Sequence, residues 1–153
     1  AGGGIKPDVV CFNAAIGACE RAGRWEEALG ILREMQRGEI VGGDVRPDVV
    51  SYNSAMGACG RAERWQAAFE LLRELADDDG VVDPDVVSYG IVIGACSRAK
   101  MWEEALDLLN EMMDRGIRPN AKICGAVVSA CEKGGQWETA LEVFQKMAED
   151  GIE

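Results

Sequence analysis

The sequence contains no histidine. That excludes imidazole metal ligands and every catalytic dyad or triad built on His. Aromatic residues are scarce, at 6%, so the core is not built on large ring plugs. Twenty alanines and nineteen glycines beside a hydrophobic content of 48% point instead to helices packed closely through small side chains. No apolar run approaches the roughly 18 residues that a membrane helix needs, and no membrane partner is expected. None of the six cysteines lies within four residues of another, which removes the C-x-x-C spacing of zinc and redox sites. Positive charge is in deficit. Sixteen Lys and Arg against 27 Asp and Glu leave a net charge of −11, a balance that disfavours non-specific nucleic-acid binding. The opening Ala-Gly-Gly-Gly matches neither a signal peptide nor an amphipathic transit peptide.

What is present is repetition. Three segments open alike: PDVVCFN from Pro7, PDVVSYN from Pro47 and PDVVSYG from Pro84. PNAKICG from Pro119 is a looser copy. Cys19, Cys59, Cys96 and Cys131 recur in the same register as Trp25, Trp65, Trp102 and Trp137, and both series step by 40, 37 and 35 residues. Such self-similarity marks a tandem array. The expected units are 9–48, 49–85, 86–120 and 121–153, with 1–8 the tail of a preceding unit. Extra residues lie near the ends of the first two, in EIVGGDVR and ADDDGVVD.

Each unit reads as two helices. In the first unit Phe12, Ile16 and Cys19 recur at helical spacing, with Asp8 placed as N-cap and Asp48, Asp85 and Asn120 equivalent in the others. After a break at Ala22-Gly23-Arg24, the series Trp25, Ala28, Leu29, Leu32 and Met35 forms an apolar stripe, backed by Glu26, Glu27, Arg33 and Glu34. Gly17, Gly57 and Gly94 are expected to permit close backbone approach. One helical hairpin cannot bury its apolar face, whereas stacked hairpins bury a continuous core. The expected fold is all-α: an α-solenoid superhelix of four helix-turn-helix pairs, with the first helices on the inner surface.

The unit V-V-S-Y-N-x-x-x-G-A-C-x-R-A-x-x-W-x-x-A-x-x-L-L-x-E-M, closing on G-I-R-P-N or R-P-D, resembles the plain pentatricopeptide repeat over nearly the whole chain. The tetratricopeptide repeat fits less well, because here Trp opens the second helix and Tyr52 and Tyr89 sit early in the first. The two ends also resemble partial units, which suggests an excerpt from a longer array with apolar terminal faces.

The resemblance implies binding of single-stranded RNA at about one base per repeat, in RNA metabolism of the mitochondrion or plastid. It implies that two side chains per unit read the base: Asn13 with Asp48, Asn53 with Asp85, and Gly90 with Asn120. The family pattern gives Asn with Asp a preference for uracil, so uracil is favoured by the first two repeats. A carboxylate is a good acceptor for the uracil N3–H, whereas cytosine offers an acceptor there. Val10, Val50 and Val87 are the implied base-wedging residues, a place that Lys122 fills in the fourth unit. Gly90 and Gly125 depart from the pattern, which weakens reading by the third and fourth units. Arg21, Arg61, Arg98 and Lys133 hold the place that commonly approaches the RNA backbone.

Charge is unevenly shared. The first fifteen residues of the four units together carry +3, leaving −14 for the rest. Phosphate contacts need only a local cationic row. The recurrent cysteines read as buried thiols, with Cys11 and Cys124 partly exposed, and the tryptophans read as core rather than as stacking platforms. Asp77-Asp78-Asp79-Gly80 lacks the alternating spacing of a calcium loop. Paired carboxylates such as Glu26-Glu27 do not converge on one atom. No catalytic site, metal or cofactor is implied, and the chain does not read as an enzyme. A second class stays open at this point, a protein-interaction scaffold with protein partners and no RNA binding.

Overall fold

The computed structural model describes residues 8–37, 46–77 and 82–151. Among the described residues eight α-helices of thirteen residues each follow one another: α1 (Val9–Arg21), α2 (Trp25–Arg37), α3 (Val49–Arg61), α4 (Trp65–Asp77), α5 (Val86–Arg98), α6 (Trp102–Asp114), α7 (Ala121–Lys133) and α8 (Trp137–Glu149). Among the described residues there is no strand, and no helix is long and apolar enough to cross a membrane. The segments 1–7, 38–45 and 78–81 lie outside the described residues, and with them the preceding tail, most of the extra residues of units one and two, and most of the Asp77–Gly80 run.

Local signals set the helix ends. Asp8, Asp48, Asp85 and Asn120 each accept a backbone N–H three residues on, at 2.9–3.0 Å. That satisfies a donor the helix leaves open. The first helices close on a left-handed residue, Gly23, Glu63, Lys100 or Gly135. The next N–H then reaches back 2.8 Å to the carbonyl of Cys19, Cys59, Cys96 or Cys131. This is the Schellman closure, and it returns the chain antiparallel for the second helix.

Consecutive first helices touch along the whole stack, α1 on α3, α3 on α5 and α5 on α7, and each second helix packs on the first helix of the next unit. Neighbouring second helices make no comparable contact among the described residues. A stack tight on one side and open on the other must curve, so the first helices form the inner layer. The core lies between the layers. Ile16, Leu32, Met56, Leu72, Tyr89, Ile93, Leu108 and Met112 are buried there, together with Ala28, Ala68 and Ala105. Long side chains bridge the outer gap: Arg33 forks onto Glu74 at 2.7 and 2.9 Å, and Arg73 bonds Glu111.

Three packing expectations need correction. Trp25, Trp65 and Trp102 are half-buried rather than buried, and Trp137 is 65% exposed. Two of the indoles, Trp25 and Trp102, reach the seam with the following unit. Trp102 covers the Gly134 turn, and the Arg64 guanidinium sits 5.3 Å from the Trp25 ring centre. Gly17, Gly57 and Gly94 do not admit a neighbouring backbone. A Cβ on Gly57 would stand 2.5 Å from Glu20 Oε1, so that glycine clears a side chain of the preceding unit, while Gly17 and Gly94 face only an arginine of their own helix. Cys124 is buried, because its helix turns it toward the outer layer. Cys19 is only half-buried. Burial pushes the Cys59 thiol up to about 11 and that of Cys96 up to about 12, which leaves both inert at neutral pH.

Candidate nucleic-acid interface

The residues that the sequence singles out gather at the N-terminal ends of the inner helices. Val10, Val50 and Val87 are 68%, 50% and 53% exposed. Each is the second residue of its helix. An N-terminal turn cannot turn every side chain inward, and here the valine is the one left outside.

Between these valines lie two interlocked polar clusters. Asn13 donates from Nδ2 to Asp48 Oδ1 at 3.0 Å, although 35 residues separate them. Asp48 Oδ1 also caps α3 by accepting the Ser51 N–H at 3.0 Å. Ser51 Oγ accepts the Asp48 N–H at 3.1 Å and donates to Asn13 Oδ1. The next seam repeats the arrangement. Asn53 Nδ2 stands 3.4 Å from Asp85 Oδ1, Ser88 N–H lies 2.9 Å from the same oxygen, and Ser88 Oγ donates to Asn53 Oδ1 at 2.6 Å. In both clusters the asparagine and serine bonds fall on Oδ1, and the Val50 and Val87 N–H groups add a further backbone bond to the Asp48 and Asp85 carboxylates. Burial alone would raise the Asp48 and Asp85 carboxyls. The serine N–H, the asparagine amide and the Val50 or Val87 N–H outweigh it and hold both below the ordinary value of 3.8. At neutral pH each cluster therefore presents an ionised carboxylate with acceptor capacity to spare beside an amide with a free N–H.

The third seam differs. Gly90 has no side chain to join Asn120, and Ile123 stands where α3 and α5 carry serine. Its Cδ1 and Cγ1 would lie 3.5 Å from a Cβ on Gly90. Asn120 keeps its cap role on Ile123. A groove of about 530 Å³ opens here, lined by Val87, Gly90, Asn120, Lys122, Arg61 and Arg98 among others. The sequence-predicted reading, wedging and cationic residues of this seam thus share one concavity.

Arg21, Arg61, Arg98 and Lys133 end the four inner helices and are exposed. A cation there also suits the negative end of the helix dipole. Arg61 Nε lies 3.6 Å from Glu20 Oε1, and Arg98 reaches the Gly60 carbonyl at 3.4 Å. Arg21 and Lys133 take no partner among the described residues. The row lies eight residues beyond the reading positions, about 12 Å along each helix. Opposite it, Glu26, Glu27 and Glu34 are exposed on the outer layer. No group of acidic or thiol side chains fit to hold a metal occurs among the described residues.

Sequence reading missed Ser51, Ser88 and Ile123. The signal was available, since a serine three residues after a capping Asp completes a capping box, and both boxes form.

A family profile described as the pentatricopeptide repeat domain matches residues 2–62 and 107–153, more than half of the chain. Profiles described as the PPR repeat family and the PPR repeat match residues 84–122 and 50–79. The chain is similar to the crystal structure of the pentatricopeptide repeat protein PPR10 from maize, with a TM-score of 0.83 and 26% identity over 97% of this chain and 20% of that one. It is also similar to PPR10 in complex with an 18-nt psaJ RNA element, with a TM-score of 0.78 and 27% identity over 98% of this chain and 21% of that one. The nuclear proteinaceous RNase P 2 from A. thaliana shares the fold, with a TM-score of 0.81 at 14% identity over 97% of this chain and 32% of that one. The chain spans about a fifth of the length of the maize protein. No curated protein matches it.

Proposed function

The chain belongs to the pentatricopeptide repeat family, and we propose that it is a single-stranded RNA-binding module reading about one base per repeat. The observation that carries this reading is the pair of preformed clusters, Asn13 with Asp48 and Asn53 with Asp85. Each combines an ionised carboxylate that has acceptor capacity to spare with a free amide N–H. Uracil offers the complement, a donor at N3 beside carbonyl oxygens, while cytosine offers an acceptor at N3. Adjacent uracils are therefore the favoured ligand of units one and two. Gly90 with Asn120 reads weakly. The exposed valines, spaced one per unit, suit flat bases. The exposed Arg21, Arg61, Arg98 and Lys133 suit phosphates, and the acidic residues of the outer layer face away. The repeat units proposed are those bounded by Val9, Val49, Val86 and Ala121. On family grounds the place of action is the mitochondrion or the plastid, in RNA metabolism rather than in catalysis by these repeats.

Affinity should be modest. Four bases contribute about 4–12 kcal/mol at 1–3 kcal/mol each, against an association cost on the order of 4–15 kcal/mol. A dissociation constant no tighter than about micromolar follows. The test is fluorescence anisotropy with short oligonucleotides of each base. Tighter binding to oligouridine is expected, with a log–log salt slope of about −2 to −3 from four cations. Equal or absent binding to all four would instead favour a protein-interaction scaffold.

A further inference from the structure

We infer that Ser51 and Ser88 are positioning residues that decide which end of the Asn13 and Asn53 amides is offered to a base. The inference rests on the base-reading function proposed above. Both serines are fully buried, so neither hydroxyl can reach a ligand itself. Each has one proton to give. Ser51 Oγ stands 3.1 Å from Asp48 Oδ1, an oxygen that already accepts two N–H bonds, and closer to Asn13 Oδ1, so we assign its proton to the amide oxygen. Ser88 Oγ likewise stands 3.0 Å from Asp85 Oδ1 and closer to Asn53 Oδ1. In the second cluster the contrast is sharper. Ser88 Oγ stands 2.6 Å from Asn53 Oδ1, while the amide nitrogen is 3.4 Å from Asp85. The hydroxyl is the shorter and stronger anchor there.

Holding the amide oxygen inward leaves the amide N–H as the free group. Beside the ionised carboxylate this makes a donor–acceptor pair of one polarity, the polarity that uracil complements and cytosine opposes. Without the hydroxyl the amide is held only by its bond to the carboxylate, at 3.0 Å in the first cluster and 3.4 Å in the second, and its oxygen is freer to turn outward. Discrimination against cytosine then falls even though neither reading residue has changed.

The third seam supports the coupling independently. Where the asparagine is replaced by Gly90, the serine is replaced by Ile123, whose side chain fills the space beside Gly90. The hydroxyl occurs in both seams where the preceding inner helix offers an asparagine, Asn13 or Asn53, and is missing where that helix has Gly90.

The experiment is a double-mutant cycle on the whole chain. Competition between hexanucleotides carrying two adjacent uracils or two adjacent cytosines gives the preference for each variant. Ser51→Ala with Ser88→Ala should lower the uracil-over-cytosine ratio about fivefold to tenfold, the low end of the worth of two neutral hydrogen bonds. In an Asn13→Ala, Asn53→Ala background the same serine changes should leave the ratio unchanged. Circular dichroism melting checks that the variants fold, because each serine also completes a helix cap. An unchanged ratio in the serine variant, with a clear preference in the parent chain, overturns the inference and spares the base reading. A ratio that falls equally in both backgrounds also overturns it, since the serines would then act through the fold alone. Absence of any preference in the parent chain overturns the base reading and this inference with it.

Discussion

Asn13 and Asp48 share a 3.0 Å hydrogen bond across the seam between two repeats. The bond joins a residue in the second turn of one inner helix to the residue that caps the next. The proposed base reading and the helix capping thus fall to the same carboxylate. The reading pair is ordered before any ligand arrives, which lowers the cost of binding.

Asp85→Asn separates the two duties. Asparagine caps helices as well as aspartate does, and Asn120 does so here at 2.9 Å. The α5 cap should survive, with thermal stability nearly unchanged. The edge offered to a base changes, because an amide can turn N–H toward the cytosine N3. Preference at the matching base should move from uracil toward cytosine by about 1–2 kcal/mol. Competition between oligonucleotides differing only at that base measures it, and an unmoved preference would mean that this carboxylate reads nothing.

The tryptophans should divide by seam. Trp102 is half-buried and covers the Gly134 turn, so Trp102→Ala should cost about 2–3 kcal/mol, less than the 3–5 kcal/mol of a fully buried aromatic. Trp137 is 65% exposed, and Trp137→Ala should change stability by no more than about 0.5 kcal/mol. Urea unfolding followed by circular dichroism gives both values. Similar losses at the two positions would contradict the seam role.

The hairpins were legible because their signals are local. A capping Asp, an apolar stripe at period 3.6 and a Cys-to-Trp spacing all act within one unit. Seam contacts were harder to read. Trp102 looks like a core residue in its own helix, and only the stacked neighbour shows that it covers a turn. The glycine at position 57 suggested a backbone approach, but what it clears is Glu20 of another repeat. Asn13 and Asp48 were matched through family resemblance, whereas the serine that links them was hidden in plain view as the third residue of V-V-S-Y. Its second partner lies 38 residues away, beyond any local pattern.

The turns contain two positions open to improvement. Glu63 and Lys100 adopt φ of 62° and 63° where the other first helices use Gly23 and Gly135. A left-handed conformation costs a residue with a Cβ roughly 1–2 kcal/mol, offset in part by the entropy that glycine loses on folding. Lys100→Gly and Glu63→Gly should each stabilise the fold by about 0.5–1 kcal/mol. Gly135→Ala should destabilise it by about 1 kcal/mol. Thermal melts that rank these variants otherwise would show that side-chain contacts, not backbone strain, govern the turns.

Acid should act through the caps. Asp48 and Asp85 have folded-state pKa values below the ordinary 3.8. As pH falls, the unfolded chain takes up the proton first. The stabilisation from these carboxylates is therefore complete above about pH 5 and is lost as pH drops through 4 toward the folded values. Asp8, held low by the Cys11 N–H, and Glu74, held low by Arg33, titrate in the same direction. The Asn120 cap carries no titratable group and should hold throughout. The comparison that isolates the two aspartates is the parent chain against Asp48→Asn with Asp85→Asn. Between about pH 5 and pH 3 the variant should lose less stability than the parent, and between about pH 7 and pH 5 the two should run parallel. Under the proposed reading, uracil preference in the parent chain depends on the same ionised carboxylates, so it should stay flat from neutrality to about pH 4 and be lost only as pH falls through their lowered folded-state values. A preference that already declines between pH 7 and pH 5 would assign base reading to some other group.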